Sequence, residues 1–253
     1  MKRLVMKTLG AIIMLAFIMP FGALIYESLN LDSWLYIIND KKTYDASITT
    51  IVTALLTLFL NIILGTPAAN ILARKDFKGK NVIQGLIFLP LIIPSFVSSM
   101  GIYFTFIRLG LSETLIGVVF IHTVLTLPYY IHSTTIGYKT LNENYDIVGK
   151  MLGANRMQRF FYITLPHIMP SVIAGGSLVI IVSFAQYLNT LIIGGGKVLT
   201  IPILMFPYIS GGNIKVGAVY SVLYIFINFS LLFILERKVK RIYNKKMTGD
   251  IVW

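Results

Sequence analysis

The sequence predicts an all-α, polytopic membrane protein of six transmembrane helices, and three observations carry that reading. The 253 residues are 56% hydrophobic and only 13% charged, with a mean hydropathy of +0.79, which is outside the range of ordinary soluble domains. The apolar residues gather into six runs of roughly 20 residues, the length of helix that crosses a bilayer while satisfying its own backbone hydrogen bonds. Alternating segments of about ten residues, the mark of a membrane β-barrel, are missing. There is no cysteine, which removes disulfides and thiolate chemistry.

The first span is expected over 9–26. It follows Lys2, Arg3 and Lys7, but its apolar run is long and no small-x-small site follows, so it reads as a retained helix rather than a cleaved signal. The second runs over 48–73. The third, 82–107, contains Pro90 and Pro94, and the fourth, 115–137, contains Pro128 beside Tyr129 and Tyr130. Such prolines bend helices and free carbonyls, which either face a cavity or are absorbed by packing. The fifth, 171–193, carries Ser183, Gln186, Asn189 and Thr190 at three- and four-residue steps, on one helical face. Polar atoms in a span either join helices or line an interior path. Gly175, Gly176 and Ser177 permit close helix contact. The sixth span runs over 216–235.

Charge orients the bundle. With the N-terminus placed in the cytoplasm, only Lys41, Lys42, Arg108, Lys197 and Lys215 of the 22 basic residues fall outside. The acidic residues divide evenly, so the net charge of +12 belongs to the inner face, as the positive-inside rule requires. Both termini are then cytoplasmic. This basic surplus serves topology and attraction to anionic headgroups, not nucleic acid.

Between spans four and five lies a cytoplasmic loop, 138–170. From Asn144 onward, Ile147, Val148, Met151 and Leu152 recur at helical spacing and form one apolar stripe. Gly153 stops that helix, since glycine takes the left-handed conformation at low cost. Asn155 is the expected N-cap of a second short helix with Met157, Phe160 and Phe161 on its apolar face. Pro166 and Pro170 are expected to break the chain before span five. The stripe either packs back on the protein's own spans or the headgroup layer, or is a helical plug for the groove of a soluble partner.

At these residues the loop resembles the EAA motif of ABC importer permeases: Glu-Ala-Ala, three residues, Gly, nine residues, Ile-x-Leu-Pro. Aligned on Gly153, nine residues lead to Ile163, Thr164, Leu165 and Pro166. The head departs from the motif, for Glu-Ala-Ala falls on Ile147, Val148 and Gly149, with Asp146 one place early. The stretches 68–80, 89–102, 122–131 and 199–206 are similar to the same family, and the spermidine/putrescine-type permeases look most alike.

The resemblance implies a type I importer fold, one transmembrane permease domain over 1–253, in the inner or plasma membrane. It implies three kinds of protein partner: a cytoplasmic ABC ATPase dimer, a second permease subunit, identical or related, and an extracellular or lipid-anchored binding protein. The ATPase-coupling residues would be Asp146, Ile147, Val148, Met151, Leu152, Gly153, Ala154, Met157, Phe160, Phe161, Ile163, Leu165 and Pro166. The translocation pathway would include Ser183, Gln186, Asn189, Thr190 and Tyr129. This chain would bind no cofactor and catalyse nothing, with ATP held by the partner. The cargo implied is a polyamine, although no acidic residue lies well inside a span; Glu113 comes nearest.

Other classes fit less well. An ATP-independent secondary transporter or channel usually shows internal repeats and mid-membrane ionisable groups. A serine hydrolase on Ser177 and His132 lacks a nucleophile-elbow pattern. His122 and His132 are ten residues apart, on different helical faces and without a carboxylate to complete a metal site. "GGGKVLT", 194–200, lacks the spacing of a phosphate-binding loop. A membrane scaffold without transport is the remaining alternative.

Overall fold

A computed structural model describes residues 2–142 and 144–247; position 1 and the last six positions of the domain expected over 1–253 lie outside the described residues. The helices are α1 (Lys2–Ser28), α2 (Leu31–Asn39), α3 (Lys41–Arg74), α4 (Lys80–Ile92), α5 (Ser95–Arg108), α6 (Leu115–Thr140), α7 (Asn144–Met151), α8 (Arg156–Arg159), α9 (Leu165–Phe184), α10 (Tyr187–Gly194), α11 (Ile201–Ser210) and α12 (Ile214–Met247). Among the described residues, five helices are long and apolar enough to cross a membrane, and a bent sixth pair completes the count.

That pair corrects the third span. The run expected over 82–107 is two helices, α4 and α5, meeting at 103°. Pro94 cannot donate a backbone hydrogen bond and drives the residue before it out of the helical region. Ile93 accordingly sits in extended conformation at φ −78, ψ 130.

The chain forms two compact units, one from residues up to Ile48 together with Leu199–Ile227, the other from Thr49–Val198 together with the chain from Asn228. The first unit gathers Ile37 of α2, Ile201 of α11 and Val216, Val219 and Tyr220 of α12 into an apolar core. Asn30 starts α2 by accepting the Ser33 N–H at 2.9 Å, an N-cap. Hydroxyl pairs join Thr43 to Tyr220 at 2.8 Å and Tyr36 to Tyr208 at 3.0 Å. The described side chains of α1 are exposed over nearly its whole length, the pattern of a helix whose surroundings are apolar.

In the second unit α6 is the central helix. Its residues Ile131 and Tyr138 pack with Ala69 and Leu72 of α3 and with Ile168 of α9. Its other end, Val118, Ile121 and Leu125, packs with Ile193 and Val198. α6 and α9 approach closely at small residues: a Cβ on Gly137 would lie 2.7 Å from Ser171 Cβ, and one on Gly175 would lie 3.1 Å from Ser133 Cβ. This is the small-residue packing that membrane helices use in place of a hydrophobic driving force. Interhelical hydrogen bonds add to it, as from Asn61 Nδ2 to Thr126 Oγ1 at 2.8 Å.

The fifth span differs most from expectation. Pro166 and Pro170 do not break the chain ahead of it, for α8 runs through a π-helical turn, Phe160–Thr164, directly into α9. Within the turn the Leu165 N–H reaches back five residues to the Phe160 carbonyl. Pro166 is the second residue of α9, directly after the wide π turn, whose looser hydrogen bonding accommodates a residue with no N–H to give. The break comes later, at Ala185 and Gln186 between α9 and α10. Span five is therefore not one helix over 171–193, and no proline or glycine marks the interruption.

Candidate functional site

The loop between α6 and α9 is a rigid helical corner. α7 ends in a Schellman motif around Gly153, whose φ of +82 suits glycine. The Gly153 N–H bonds to the Lys150 carbonyl and the Ala154 N–H to the Gly149 carbonyl, both at 3.0 Å. The chain re-enters helix at once through a capping box. Asn155 Oδ1 accepts the Gln158 N–H at 2.9 Å, and Gln158 Oε1 accepts the Asn155 N–H at 2.8 Å. Two orphan donors are satisfied reciprocally, which sets the direction of α8.

One ion pair locks the two arms of the corner. Arg159 Nε donates to Asp146 Oδ1 at 2.9 Å, and its Nη1 donates to the Ala154 carbonyl at 2.9 Å. A single guanidinium thus ties the start of α7 to the turn beyond its end. The arms also approach closely at Gly149: a Cβ there would sit 2.7 Å from Ile163 Cδ1 and 3.2 Å from Arg159 Cδ. Position 149, aligned with the last residue of Glu-Ala-Ala, is small because another side chain occupies the space beside it.

The thirteen loop residues separate by role. Ile147, Val148, Met151 and Leu152 are exposed, the last two at 81% each, so the α7 stripe does not pack back on this chain. Met157 and Phe161 are exposed too, but with Phe160 they line a cavity of about 520 Å³ against Ile63 and Thr66 of α3 and Tyr130 of α6. The α8 stripe is therefore turned in part toward the bundle, as in the first of the two arrangements open from its spacing. Phe160 is half-buried against Phe161, ring centres 5.2 Å apart. Ala154, Ile163 and Leu165 are half-buried and Pro166 is buried, so these four support the corner rather than surface it. Asp146 holds Arg159, and Gly153 makes the turn.

The four polar residues of span five do not lie along one unbroken helix, because α9 ends at Phe184 and α10 starts at Tyr187. They converge nonetheless on buried groups of neighbouring helices. His122 of α6 lies between Ser183 Oγ, 2.9 Å from its Nδ1, and Thr190 Oγ1, 2.9 Å from its Nε2. The Thr190 hydroxyl donates its one proton to the Gln186 carbonyl at 2.6 Å. Nε2 must therefore donate to Thr190, leaving Nδ1 to accept from Ser183, which assigns the tautomer. Ser99 of α5 donates to Asn189, which donates in turn to Gln186. Ser183, Asn189 and Thr190 are buried and Gln186 is half-buried. The network stitches the broken span to α5 and α6. Tyr129 is half-buried on α6 and takes no part in these bonds.

Sequence reasoning leaves His122 as a satisfied bundle residue or a pathway polar group without naming its partners, and it does not single out Ser99. Both were visible as polar residues in apolar runs, a signal of interior function or joining. Their pairing across three helices is a tertiary fact.

The model of the binding-protein-dependent transport system inner membrane component family matches residues 61–243. The molybdate/tungstate transport system permease protein of Pyrococcus furiosus is 26% identical over 234 residues, covering 92% of this chain and 93% of that protein. The molybdenum transport system permease protein of Mycobacterium tuberculosis is 28% identical over 173 residues, covering 64% of this chain and 66% of that one. In fold, the chain is similar to a subunit in the crystal structure of a bacterial alginate ABC transporter in complex with an alginate pentasaccharide-bound periplasmic protein. That likeness has a TM-score of 0.72 at 14% identity, with 95% of this chain and 94% of that one covered. The chain belongs to the family of binding-protein-dependent transport system inner membrane components.

Proposed function

We propose that this chain is the pore-forming subunit of an ATP-driven importer of tetrahedral oxyanions of the molybdate and tungstate type, worked from the cytoplasm by a separate ATPase dimer. The single observation that carries the coupling is the corner around Gly153: apolar side chains held out at 81% exposure on a turn closed by a Schellman motif, a capping box and an ion pair. An exposed apolar helix held rigidly on a membrane protein suits the groove of a soluble partner. Its rigidity lets a displacement of the partner reach α6 and α9 as a rotation instead of being lost in a floppy loop.

ATP binding in the partner would draw this corner toward its counterpart on a second permease subunit and rock the bundles between inward-open and outward-open states. The partner must grip the two states unequally, since equal affinity moves no equilibrium. By the positive-inside pattern the corner and both termini would lie in the cytoplasm. A binding protein would deliver cargo at the opposite face, as the alginate relative's periplasmic protein suggests by analogy. ATP is held by the ATPase, and this chain contributes no catalytic residue and holds no cofactor.

The cargo reading rests on the names of the relatives reported above, which concern molybdate, tungstate or molybdenum. The polyamine expectation finds no support among them. An anionic cargo also accords with spans that offer hydroxyl and amide dipoles and no interior carboxylate. The test is reconstitution of the permease with its ATPase and binding protein in liposomes. Uptake of tungstate that requires ATP and the loaded binding protein is the expected result. Equal uptake of tungstate without ATP, or ATP-driven uptake of spermidine in its place, would refute the reading.

A further inference from the structure

We propose that the hollow where α3 ends against α8 is a binding site for a tetrahedral oxyanion. The cavity, about 370 Å³, is lined by Asn70, Arg74, Lys75, Arg156, Arg159 and Thr164, among others. Its one carboxylate, Asp146, is engaged by Arg159 Nε at 2.9 Å. Arg74, Lys75 and Arg156 pair with no carboxylate among the described residues. Four cations around one shared space repel one another, and one anion neutralises only part of that charge.

Arg74 supplies the second, independent observation. Its Nε and Nη2 are buried and hydrogen-bond to no protein group among the described residues. Its guanidinium is held 5.6 Å from the centre of the Tyr138 ring, so its direction is set by packing. Buried donors without acceptors are costly, and a turn of the side chain toward the hollow it lines would present Nε with one Nη as the fork that takes two oxygens of a phosphate-like group. The ligand chemistry is therefore a compact anion with several acceptor oxygens. Thr164 and Asn70 are further donors on the same wall.

Two sources carry that chemistry: the phosphate of an anionic lipid headgroup, and a free oxyanion of the class proposed as cargo. Arg74 is the last residue of a spanning helix, which puts the hollow at the level of headgroups. The inference rests on the proposed function only in the choice of tungstate as probe and in placing this face inside the cell.

The test uses the full-length permease alone, in nanodiscs of phosphatidylcholine or of phosphatidylcholine with phosphatidylglycerol, at constant ionic strength. Bound tungstate and phosphate are measured by equilibrium dialysis, and retained phosphatidylglycerol by mass spectrometry after delipidation. Saturable tungstate or phosphate binding in phosphatidylcholine discs, weakened about tenfold or more by Arg74→Gln and by Arg156→Gln, establishes the site with a free oxyanion. Selective retention of phosphatidylglycerol, lost in both variants, establishes it with a lipid phosphate. Arg156 is exposed, so its variant decides the matter even where Arg74→Gln fails to fold. No anion or lipid response, a response unchanged in both variants, or a response arising only once the ATPase is added would overturn the proposal; the last would mean that a carboxylate of that protein fills the hollow. Because no transport is measured, failure here is separate from failure of the uptake experiment.

Discussion

Truncating the two most exposed residues of the corner, Met151→Ala and Leu152→Ala, tests whether the α7 stripe is a handle. Burying a Leu or Met side chain completely stabilises an association by about 1.5–3 kcal/mol. Both side chains are 81% exposed, so a partner groove has nearly all of that area left to cover, worth about 1.2–2.4 kcal/mol each. At about 1.4 kcal/mol per tenfold change, each variant should raise the dissociation constant for the ATPase by roughly sevenfold to fiftyfold. The same exposure predicts that the isolated permease is unaffected, within about 0.5 kcal/mol. The assay is titration of the ATPase onto permease in nanodiscs, with thermal unfolding of the permease alone as the control. Ile168→Ala is the counter-example: that side chain is 0% exposed, and its loss should cost about 2–5 kcal/mol of stability. Wild-type ATPase affinity in both alanine variants, or destabilisation of the permease as large as that of Ile168→Ala, would refute the reasoning.

Two further outcomes follow from the geometry. Gly153→Ala places a Cβ at a φ of +82, a strain of about 1–2 kcal/mol, and should weaken ATPase binding by up to about thirtyfold. Gly153→Asn, whose side chain tolerates the left-handed region, should lose less, and equal losses in the two variants would argue against the turn as the cause. His122→Ala removes the shared partner of Ser183 and Thr190 and leaves a void, so the permease should lose about 2–4 kcal/mol. Ser183→Ala, which deletes one bond of that network, should cost nearer 0.6 kcal/mol, about the average for an interhelical hydrogen bond in a membrane. Thermal unfolding in one detergent compares them, and similar midpoints for the two would show that His122 is not the hub.

Lipid enforces the features that could be read along the chain. A backbone in hydrocarbon must close its own hydrogen bonds, so spans appear as long apolar runs wherever the chain folds. Local chemistry was legible for the same reason: Gly153 and Asn155 act on backbone within a turn of themselves, so the turn and the start of the second helix could be read from spacing, whereas the part of Gln158 in the cap appears only in the structure. Tertiary structure decided what depends on neighbours. Pro94 announced a bend, but a right-angled break with α4 and α5 as separate helices depends on what packs beside it. The break at Ala185 and Gln186 has no local cause, and the network of His122, Ser183, Thr190, Asn189 and Ser99 holds it. The inward turn of Phe160 and the convergence of Arg74, Arg156 and Arg159 bring together residues far apart in the chain. Periodicity along one helix says which side chains share a face, and only the packing of helices says what that face meets.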